Sequence, residues 1–230
     1  MIPVYNEGEN IAATLEGLMT SVRTRPLEVL LVYDFDGDTT VSVAQRLQPT
    51  MPELRLVKND LGRGALNALR VGFRSAAAPY VVVSMADGSD DPADIDRMLA
   101  EARHGADLVA GSRYMRGGAQ VGGPPLKRTL SRLAGLSLHL LSGLPLHDPT
   151  NNFKLYSRRL LDRVSIESRA GFELALELTV KAYRLQLRVA EVPTTWRDRT
   201  AGQSRFRMWK WLPHYLRWYA YGLASRFSRS

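Results

Sequence analysis

Apolar runs of strand length alternate with stretches of helical period in the first half of the chain. The strand-like runs are residues 2–4, 28–33, 54–58, 80–85 and 107–110. Between them, apolar residues recur every three or four positions, for example at Ile11, Leu15, Leu18 and Val22. Strands that alternate with amphipathic helices are typical of an α/β fold, so we predict a mainly parallel sheet flanked by helices.

The pattern is less regular after Gly111. We predict a loop at 116–125, helices at 126–141 and 171–183, and a strand at 187–195. The leucines of 126–141 could cover a lipid chain, but a helix that faces the core is the expectation. Pro213 should kink or split a C-terminal helix. We therefore divide the chain into an α/β domain at residues 1–200 and a basic, aromatic tail of helices at 201–230.

The charge balance predicts an anionic partner. The chain has 31 Lys and Arg against 23 Asp and Glu, a net charge of +8. After Asp198 the tail contains only basic charges, interleaved with Trp, Tyr and Phe. This combination favours an anionic membrane surface, and no nucleic-acid partner is expected.

Cysteine content and hydropathy bear on the location of the protein. With no cysteine, the chain has neither disulfides nor a thiol nucleophile, which fits a reducing compartment. No apolar segment is long enough to cross a bilayer. We expect a cytoplasmic protein that is peripheral to the membrane, on its cytoplasmic face.

Acidic side chains follow three of the predicted strands. They are Glu7 after the first, Asp34, Asp36 and Asp38 after the second, and Asp87, Asp90 and Asp91 after the fourth. Ligands of open parallel sheets bind at the carboxyl ends of the strands. A divalent cation held together with a diphosphate would explain acidic groups in a basic protein. The alternative is that these residues only form turns and helix caps.

Two segments resemble the family 2 glycosyltransferases. Residues 2–7 (IPVYNE) resemble the opening of that family, and residues 85–92 (MADGSDDP) resemble its Asp-x-Asp segment. Within the family the likeness is greatest to the dolichyl-phosphate mannose synthases and related polyprenyl-phosphate glycosyltransferases. Further matching stretches are 62–64, 111–114, 148–154, 172–173, 190–193 and 199–205, so the resemblance spans nearly the whole chain.

The resemblance implies a GT-A fold and a set of site residues. The implied donor-binding residues are Pro3, Tyr5, Glu7, Asp34, Asp36, Ala86 and Asp87. Asp87, with Ser89 and Asp90, would hold Mg²⁺ or Mn²⁺. Asp87, Arg113 and Arg199 would be catalytic. The acceptor phosphate would contact Lys127, Arg128, Ser131, Ser204 and Arg205.

The implied reaction is an inverting, metal-assisted transfer of a hexose from a nucleotide sugar to a polyprenyl (dolichyl-type) phosphate. Mannose from GDP-mannose is the first choice. A phosphate acceptor is already anionic, so the reaction needs no dedicated base. Two departures concern the metal site: Met85 replaces the first aspartate of the motif, and Ser89 replaces a glutamine. On the acceptor side, 151–154 reads NNFK in place of a more usual Ser-Gly-Phe-Arg.

Two alternatives stay open. One is a family 2 transferase that uses a UDP-sugar and another acceptor; if that acceptor were a hydroxyl, Asp90 or Asp91 would be the candidate base. The other is a catalytically inactive homologue that binds a membrane or a partner protein, which Met85 and the short first strand suggest.

Overall fold

The computed structural model describes residues 1–25, 27–198 and 208–224. Its strands are β1 (Ile2–Pro3), β2 (Val29–Tyr33), β3 (Leu54–Lys58), β4 (Tyr80–Val83), β5 (Leu108–Ser112), β6 (Ala119–Val121), β7 (Lys154–Ser157), β8 (Val189–Pro193) and β9 (Thr195–Arg197). Its helices are α1 (Asn10–Ser21), α2 (Thr39–Leu47), α3 (Ala65–Ser75), α4 (Asp94–Arg103), α5 (Pro125–Ser142), α6 (Arg158–Arg163), α7 (Leu174–Arg184) and α8 (Met208–Leu223). A 3-10 turn, Gln48–Thr50, follows α2.

Two groups of strands meet at Met1. The first has the order β1-β2-β3 and is parallel, and the second has the order β4-β7-β5-β8. The Met1 nitrogen donates to the Val82 carbonyl oxygen (2.6 Å), and the Ser84 amide donates to the Met1 carbonyl oxygen (3.1 Å). This pattern is that of a parallel ladder, so β4 runs parallel to β1. The carboxyl ends of β1, β2 and β4 therefore share one edge.

The predicted helices cover the sheet through their apolar positions. Ile11, Leu15 and Leu18 of α1 are buried in one core cluster with β2. β2 itself is apolar and buried at four of its five positions, as expected for a parallel strand covered on both faces. The alternating pattern of the first half thus predicted this part of the fold correctly.

β7 is the element that the pattern did not predict. It lies between β4 and β5 and runs antiparallel to both. All four of its residues are buried, and they include Lys154 and Ser157. A central strand that contains a lysine has neither polar alternation nor an apolar run, and it is therefore not recognisable from the pattern.

Other boundaries also differ from the sequence prediction. The predicted strand at 187–195 is two strands that divide at Thr194, whose amide bonds to β5 and whose carbonyl bonds to β6. The predicted loop at 116–125 therefore contains β6. The predicted helix at 171–183 begins only at Leu174. Pro213 lies inside α8 and does not end it, and its exposed ring faces away from the packed side of the helix.

The described part of the predicted tail packs on the domain. Trp218 of α8 is 2% exposed within the second core cluster, and its ring nitrogen donates to Ser168 Oγ at 3.1 Å. The Tyr219 hydroxyl donates to Ser137 Oγ of α5 at 2.8 Å. α8 thus contacts both α5 and α7. Among the described helices, none is at once long and apolar enough to cross a membrane.

Candidate active site

Asp38 fixes the loop that follows β1. Its side chain is buried and accepts hydrogen bonds from the amides of Asn6 (3.0 Å to each oxygen) and Thr40 (2.8 Å). The Thr40 contact caps α2, and the Asn6 contact joins the first loop to that cap. Asn6 has a φ of 53°, so this contact holds a backbone conformation that few non-glycine residues adopt. The loop that carries Tyr5 and Glu7 is therefore held in one shape.

Aromatic side chains line the site beside this loop. The rings of Tyr5 and Phe35 meet edge to face with centroids 5.5 Å apart. The guanidinium of Arg63 lies over the Phe35 ring at 4.6 Å. Tyr5 remains 40% exposed, so part of its ring is available for a ligand. Aromatic rings beside a cation are suited to contact a nucleobase.

Asp34 and Asp36, both predicted to bind the donor, have different surroundings. Asp34 accepts from Asn59 Nδ2 at 2.7 Å and from the Gly64 amide at 2.9 Å, so it organises the loop 59–64. Asp36 forms an ion pair with Lys58 at 2.5 Å, with the two side chains 75% and 51% exposed. Both aspartates stand at the predicted edge, and in this structure each bonds to a neighbouring loop or strand.

The Asp-x-Asp-like segment forms a tight turn after β4. Asp87 Oδ1 accepts from the Ser89 amide at 3.1 Å, while Asp90 Oδ2 accepts from the Met85 amide at 3.2 Å. Burial raises the pKa of Asp90 to about 7, although the Met85 contact acts in the opposite direction. Ala86 is buried, and its carbonyl accepts from Thr14 of α1 at 2.9 Å. The predicted donor contact of Ala86 would therefore involve its backbone.

The chemistry of this turn fits a metal that takes most of its ligands from a substrate. Among the described residues, no three or more acidic, histidine or cysteine side chains converge as a complete metal site. The predicted ligands in this turn, Asp87, Asp90 and Ser89, offer two carboxylates and one hydroxyl. Magnesium accepts such a donor set when phosphate oxygens and water supply the remainder.

Arg113, one of the predicted catalytic residues, stands immediately after β5 and is held by a buried carboxylate. Its Nε and Nη2 donate to Asp148 at 2.7 and 2.9 Å. Arg113 and Asp148 have 11% and 0% side-chain exposure. Burial alone would lower the pKa of Arg113, but the Asp148 carboxylate outweighs it and raises that pKa. The guanidinium is thus a permanent, oriented cation.

Ser131 and Thr150 complete the surroundings of Arg113. Arg113 Nη2 donates to Ser131 Oγ at 3.2 Å, and the hydroxyls of Ser131 and Thr150 lie 2.7 Å apart. Thr150 Oγ1 also donates to Asp148 at 3.3 Å. The structure therefore brings the predicted acceptor residue Ser131 next to the predicted catalytic Arg113.

Lys154 lies below this network, in β7. Its ammonium group is fully buried and donates to the carbonyls of Pro149 (2.5 Å) and Ala175 (3.2 Å). Burial lowers the pKa of Lys154 to about 7, with Asp148 acting in the opposite direction. Lys154 thus ties the loop that carries Asp148 to the first turn of α7.

A cavity of about 740 Å³ opens beside Arg113. Its lining combines cationic and apolar residues: Arg113, Arg128 and Arg132 on the one hand, and Leu133 and Leu136 of α5 on the other. The expectation that the leucines of α5 face the core is wrong for all but one of them. Its exposed leucines are Leu126, Leu130, Leu133, Leu136, Leu140 and Leu141, and Leu138 is its buried one.

The remaining predicted residues are Pro3, Lys127, Arg128, Arg199, Ser204 and Arg205. Pro3 lies in β1, and Lys127 and Arg128 are exposed in the first turns of α5. Arg199, Ser204 and Arg205 lie outside the described residues. Sequence reasoning assigned no role to Asp148 or Thr150, which bind Arg113 and Ser131. Their presence in the matching stretch 148–154 was the available signal.

Comparison with known proteins agrees with the motifs. The model of the family described as "Glycosyl transferase family 2" matches residues 1–165. The undecaprenyl-phosphate mannosyltransferase of Micrococcus luteus is 34% identical over 211 residues, which are 89% of this chain and 85% of the relative. The polyprenol monophosphomannose synthase of Mycolicibacterium smegmatis is 31% identical, over 89% of this chain and 79% of the relative.

More distant proteins share the fold. The dolichol-phosphate mannosyltransferase of Pyrococcus furiosus is 26% identical over 90% of this chain and 58% of its own length. A crystal structure of glucosyl-3-phosphoglycerate synthase from Mycobacterium tuberculosis, with Mn²⁺, UDP and glucosyl-3-phosphoglycerate, superposes with a TM-score of 0.67. It covers 98% of this chain and 77% of the other at 18% identity. The predicted GT-A fold is confirmed, and the chain belongs to glycosyl transferase family 2 as a glycosyltransferase.

Proposed function

We propose that this glycosyltransferase moves mannose from GDP-mannose to a polyprenyl phosphate at a membrane surface, with inversion and with the help of Mg²⁺ or Mn²⁺. The observation that carries the proposal is the cavity beside Arg113, whose lining combines Arg113, Arg128 and Arg132 with Leu133 and Leu136 of α5. A prenyl phosphate has an anionic group that arginines can bind and an apolar chain that leucines can contact. The mannosyltransferase activity of the relatives supports the choice of sugar and acceptor.

On the acceptor side, Arg113 would bind the phosphate together with Arg128 and Ser131. The Asp148 pair keeps the guanidinium oriented, so little reorganisation is needed when an anion arrives. A phosphate monoester has its second pKa near about 6 and is therefore largely a dianion at neutral pH. It can attack the sugar without a protein base, and the cations around it offset its repulsion from the donor diphosphate.

On the donor side, the nucleobase would lie against Tyr5 and Phe35, close to Arg63. Asp87, with Asp90 and Ser89, would hold the metal, which when bound stabilises negative charge on the departing diphosphate. Crystals of the glucosyl-3-phosphoglycerate synthase contain Mn²⁺ or Mg²⁺ with UDP, which supports a divalent ion in this fold. Met85 cannot supply an oxygen ligand, so diphosphate oxygens would provide more of the ligands of the metal.

The exposed face of α5 supports membrane-surface binding. Leu126, Leu130, Leu133 and Leu140 follow one another at helical spacing and are 42–67% exposed. Lys127, Arg128 and Arg132 accompany them on the same helix. An apolar stripe flanked by cations suits a bilayer that contains anionic lipid, into which the stripe can enter. The occupant that we propose for this face is therefore the lipid surface that also carries the acceptor. The cytoplasmic location expected from the sequence remains a prediction.

A donor and acceptor panel tests the proposal. The protein would be incubated with GDP-mannose, UDP-glucose or UDP-N-acetylglucosamine, each with Mn²⁺, Mg²⁺ or a chelator. The acceptors would be undecaprenyl phosphate in anionic vesicles and soluble 3-phosphoglycerate. We expect mannosyl transfer to the lipid, and its loss with the chelator. Transfer to 3-phosphoglycerate, transfer from a UDP-sugar only, or no transfer at all would refute the proposal.

A further inference from the structure

Two elements contribute most of the lining of the cavity of about 740 Å³. They are the segment 118–120, which includes the start of β6, and α5. The segment 118–120 is held by the sheet, because the Ala119 amide donates to the Thr194 carbonyl oxygen at 2.9 Å. A Cβ at Gly118 would overlap the Ser112 carbonyl oxygen, so the segment also packs directly on the end of β5. This part of the lining is therefore fixed in place.

The first half of α5 is held by much less burial. Residues 125–130 are all exposed. The buried residues of α5 are Gly135, Leu138 and Ser142, all in its second half. The Tyr219 hydroxyl of α8 also bonds to this second half, at Ser137. Burial therefore does not fix the position of Arg128, which lies in the first half and lines the cavity.

Tyr114 connects the two elements. Its hydroxyl donates to Gln120 Oε1 at 3.1 Å and lies 3.4 Å from the carbonyl oxygen of Arg128. The guanidinium of Arg113 lies over the Tyr114 ring, 4.9 Å from its centroid. All four residues line the cavity. One side chain thus contacts β6, the first half of α5 and the cation to which the proposed function assigns the phosphate.

We propose that Tyr114 is a positioning residue for the acceptor: its hydroxyl holds the backbone of Arg128 where both Arg128 and Arg113 can bind one phosphate group. The inference rests on the proposed function, because it takes the phosphate of the prenyl acceptor to lie between these two arginines. Asp148 orients Arg113, and Ser131 is held by its bond to Arg113. The Tyr114 hydroxyl supplies the restraint one turn earlier, at Arg128. A cation that is held before the anion arrives binds it with less loss of conformational freedom.

The first test removes the hydroxyl and keeps the ring. In Tyr114→Phe we expect the KM for undecaprenyl phosphate to rise about threefold to tenfold. The KM for GDP-mannose and the kcat at saturating acceptor should stay within about twofold of wild type, because only binding of the acceptor is weakened. Steady-state kinetics with each substrate varied in turn measure these constants.

Tyr219→Phe is the matched control. It makes the same substitution and removes a bond to the same helix, at Ser137 (2.8 Å), which does not line the cavity. It should lower the melting temperature as much as Tyr114→Phe does and leave the KM for the acceptor as in wild type. An unchanged acceptor KM in Tyr114→Phe, or an equal rise in Tyr219→Phe, would overturn the inference.

The second test asks whether Tyr114 acts through Arg128. Arg128→Ala removes the guanidinium that the hydroxyl is proposed to place. In that background Tyr114→Phe should raise the acceptor KM by less than about twofold further, because the two changes remove the same interaction. If the two effects multiplied instead, Tyr114 would contact the acceptor independently of Arg128, and its positioning role would be wrong.

A binding measurement separates this inference from the proposed function. If wild type transferred mannose to the lipid and Tyr114→Phe had the same acceptor KM, only the inference would fail. If wild type transferred no mannose, the proposed function would fail, and titration calorimetry with farnesyl phosphate would test the inference. Binding that is about threefold to tenfold weaker in Tyr114→Phe than in wild type would support it. Equal affinities, or no binding by wild type, would overturn it.

Discussion

The two sides of the proposed site, the donor side around Tyr5, Asp36 and Asp87 and the acceptor side around Arg113, use charge in different ways. On the donor side, Asp36 and Lys58 pair at the surface, with side chains 75% and 51% exposed. On the acceptor side, Arg113 and Asp148 pair with 11% and 0% exposure. An exposed pair contributes little, whereas removing one partner of a buried pair leaves an uncompensated charge. The acceptor side thus depends on burial, and the donor side depends on the shape of its loops.

Replacing one aspartate on each side should give very different losses. Asp148→Asn leaves the Arg113 guanidinium buried without a counter-charge, so we expect a loss of about 3–5 kcal/mol in the free energy of unfolding. Asp36→Asn should cost less than about 1 kcal/mol. Urea denaturation of both variants measures the difference. Equal losses would mean that the two pairs do not differ as their burial suggests.

The buried lysine gives the acceptor side a distinctive pH dependence. Lys154 has a pKa of about 7 in the folded protein against 10.5 for the ordinary side chain. Between these values the unfolded chain binds a proton that the folded chain has released, so stability rises with pH, by at most about 1.4 kcal/mol per pH unit. Below pH 7 both states are protonated, and the full burial penalty applies.

Lys154→Met should remove this slope. We expect the variant to gain stability relative to wild type near pH 6 and to lose that advantage towards pH 9, as measured by urea midpoints across the range. Lys58→Met is the control, because the bond to Asp36 raises the pKa of Lys58 and moves its titration above this range. A constant gap between wild type and Lys154→Met would show that Lys154 stays protonated in the folded protein.

We expect the exposed leucines of α5 to contribute to lipid binding and not to the stability of the fold. Leu133→Ser combined with Leu140→Ser changes side chains that are 55% and 67% exposed. We expect binding to anionic vesicles to weaken by about tenfold for each leucine, with unfolding changed by less than about 0.5 kcal/mol. Leu138→Ala, on the buried face, should instead cost about 2–5 kcal/mol and leave vesicle binding of the folded protein intact. Cosedimentation distinguishes these outcomes, and wild-type binding by the double variant would remove α5 from the membrane proposal.

The two sides also differed in how well the sequence predicted them. The donor side is built from consecutive strand, loop and helix units, so the local pattern placed Glu7, Asp34 and Asp87 at one edge of the sheet. The acceptor side brings together residues that are far apart in the chain, such as Arg113 and Asp148, which are 35 positions apart. No local pattern reports such a contact, and only the resemblance pointed to the stretch 148–154.

The sequence pattern also did not show which side chains are buried. The leucines of α5 have the spacing of a core helix, and periodicity shows that a helix has an apolar side without showing what covers it. Conversely, the pattern did not indicate that Lys154 is buried, because a lysine is rarely found fully buried. In both cases tertiary contacts, and not local preferences, decide which side chains meet the solvent.

The smallest expected effect concerns the loop conformation of the donor side. Gly64 donates its amide to Asp34 and has a φ of 132°, while a Cβ at this position would meet nothing within 4 Å. Gly64→Ala therefore introduces backbone strain alone, of about 1–2 kcal/mol, and should weaken GDP binding by up to about tenfold as the loop adjusts.

The matched control is Gly17→Ala in α1, where the added Cβ also meets nothing within 4 Å and the backbone is helical. That change should stabilise the protein by about 0.5–1 kcal/mol and leave GDP binding unchanged. Calorimetric titration with GDP, together with urea denaturation, compares the two alanines. If Gly64→Ala bound GDP as well as Gly17→Ala does, GDP binding would not require the present shape of the loop that Asp34 holds. The donor side would then not depend on the conformation of its loops.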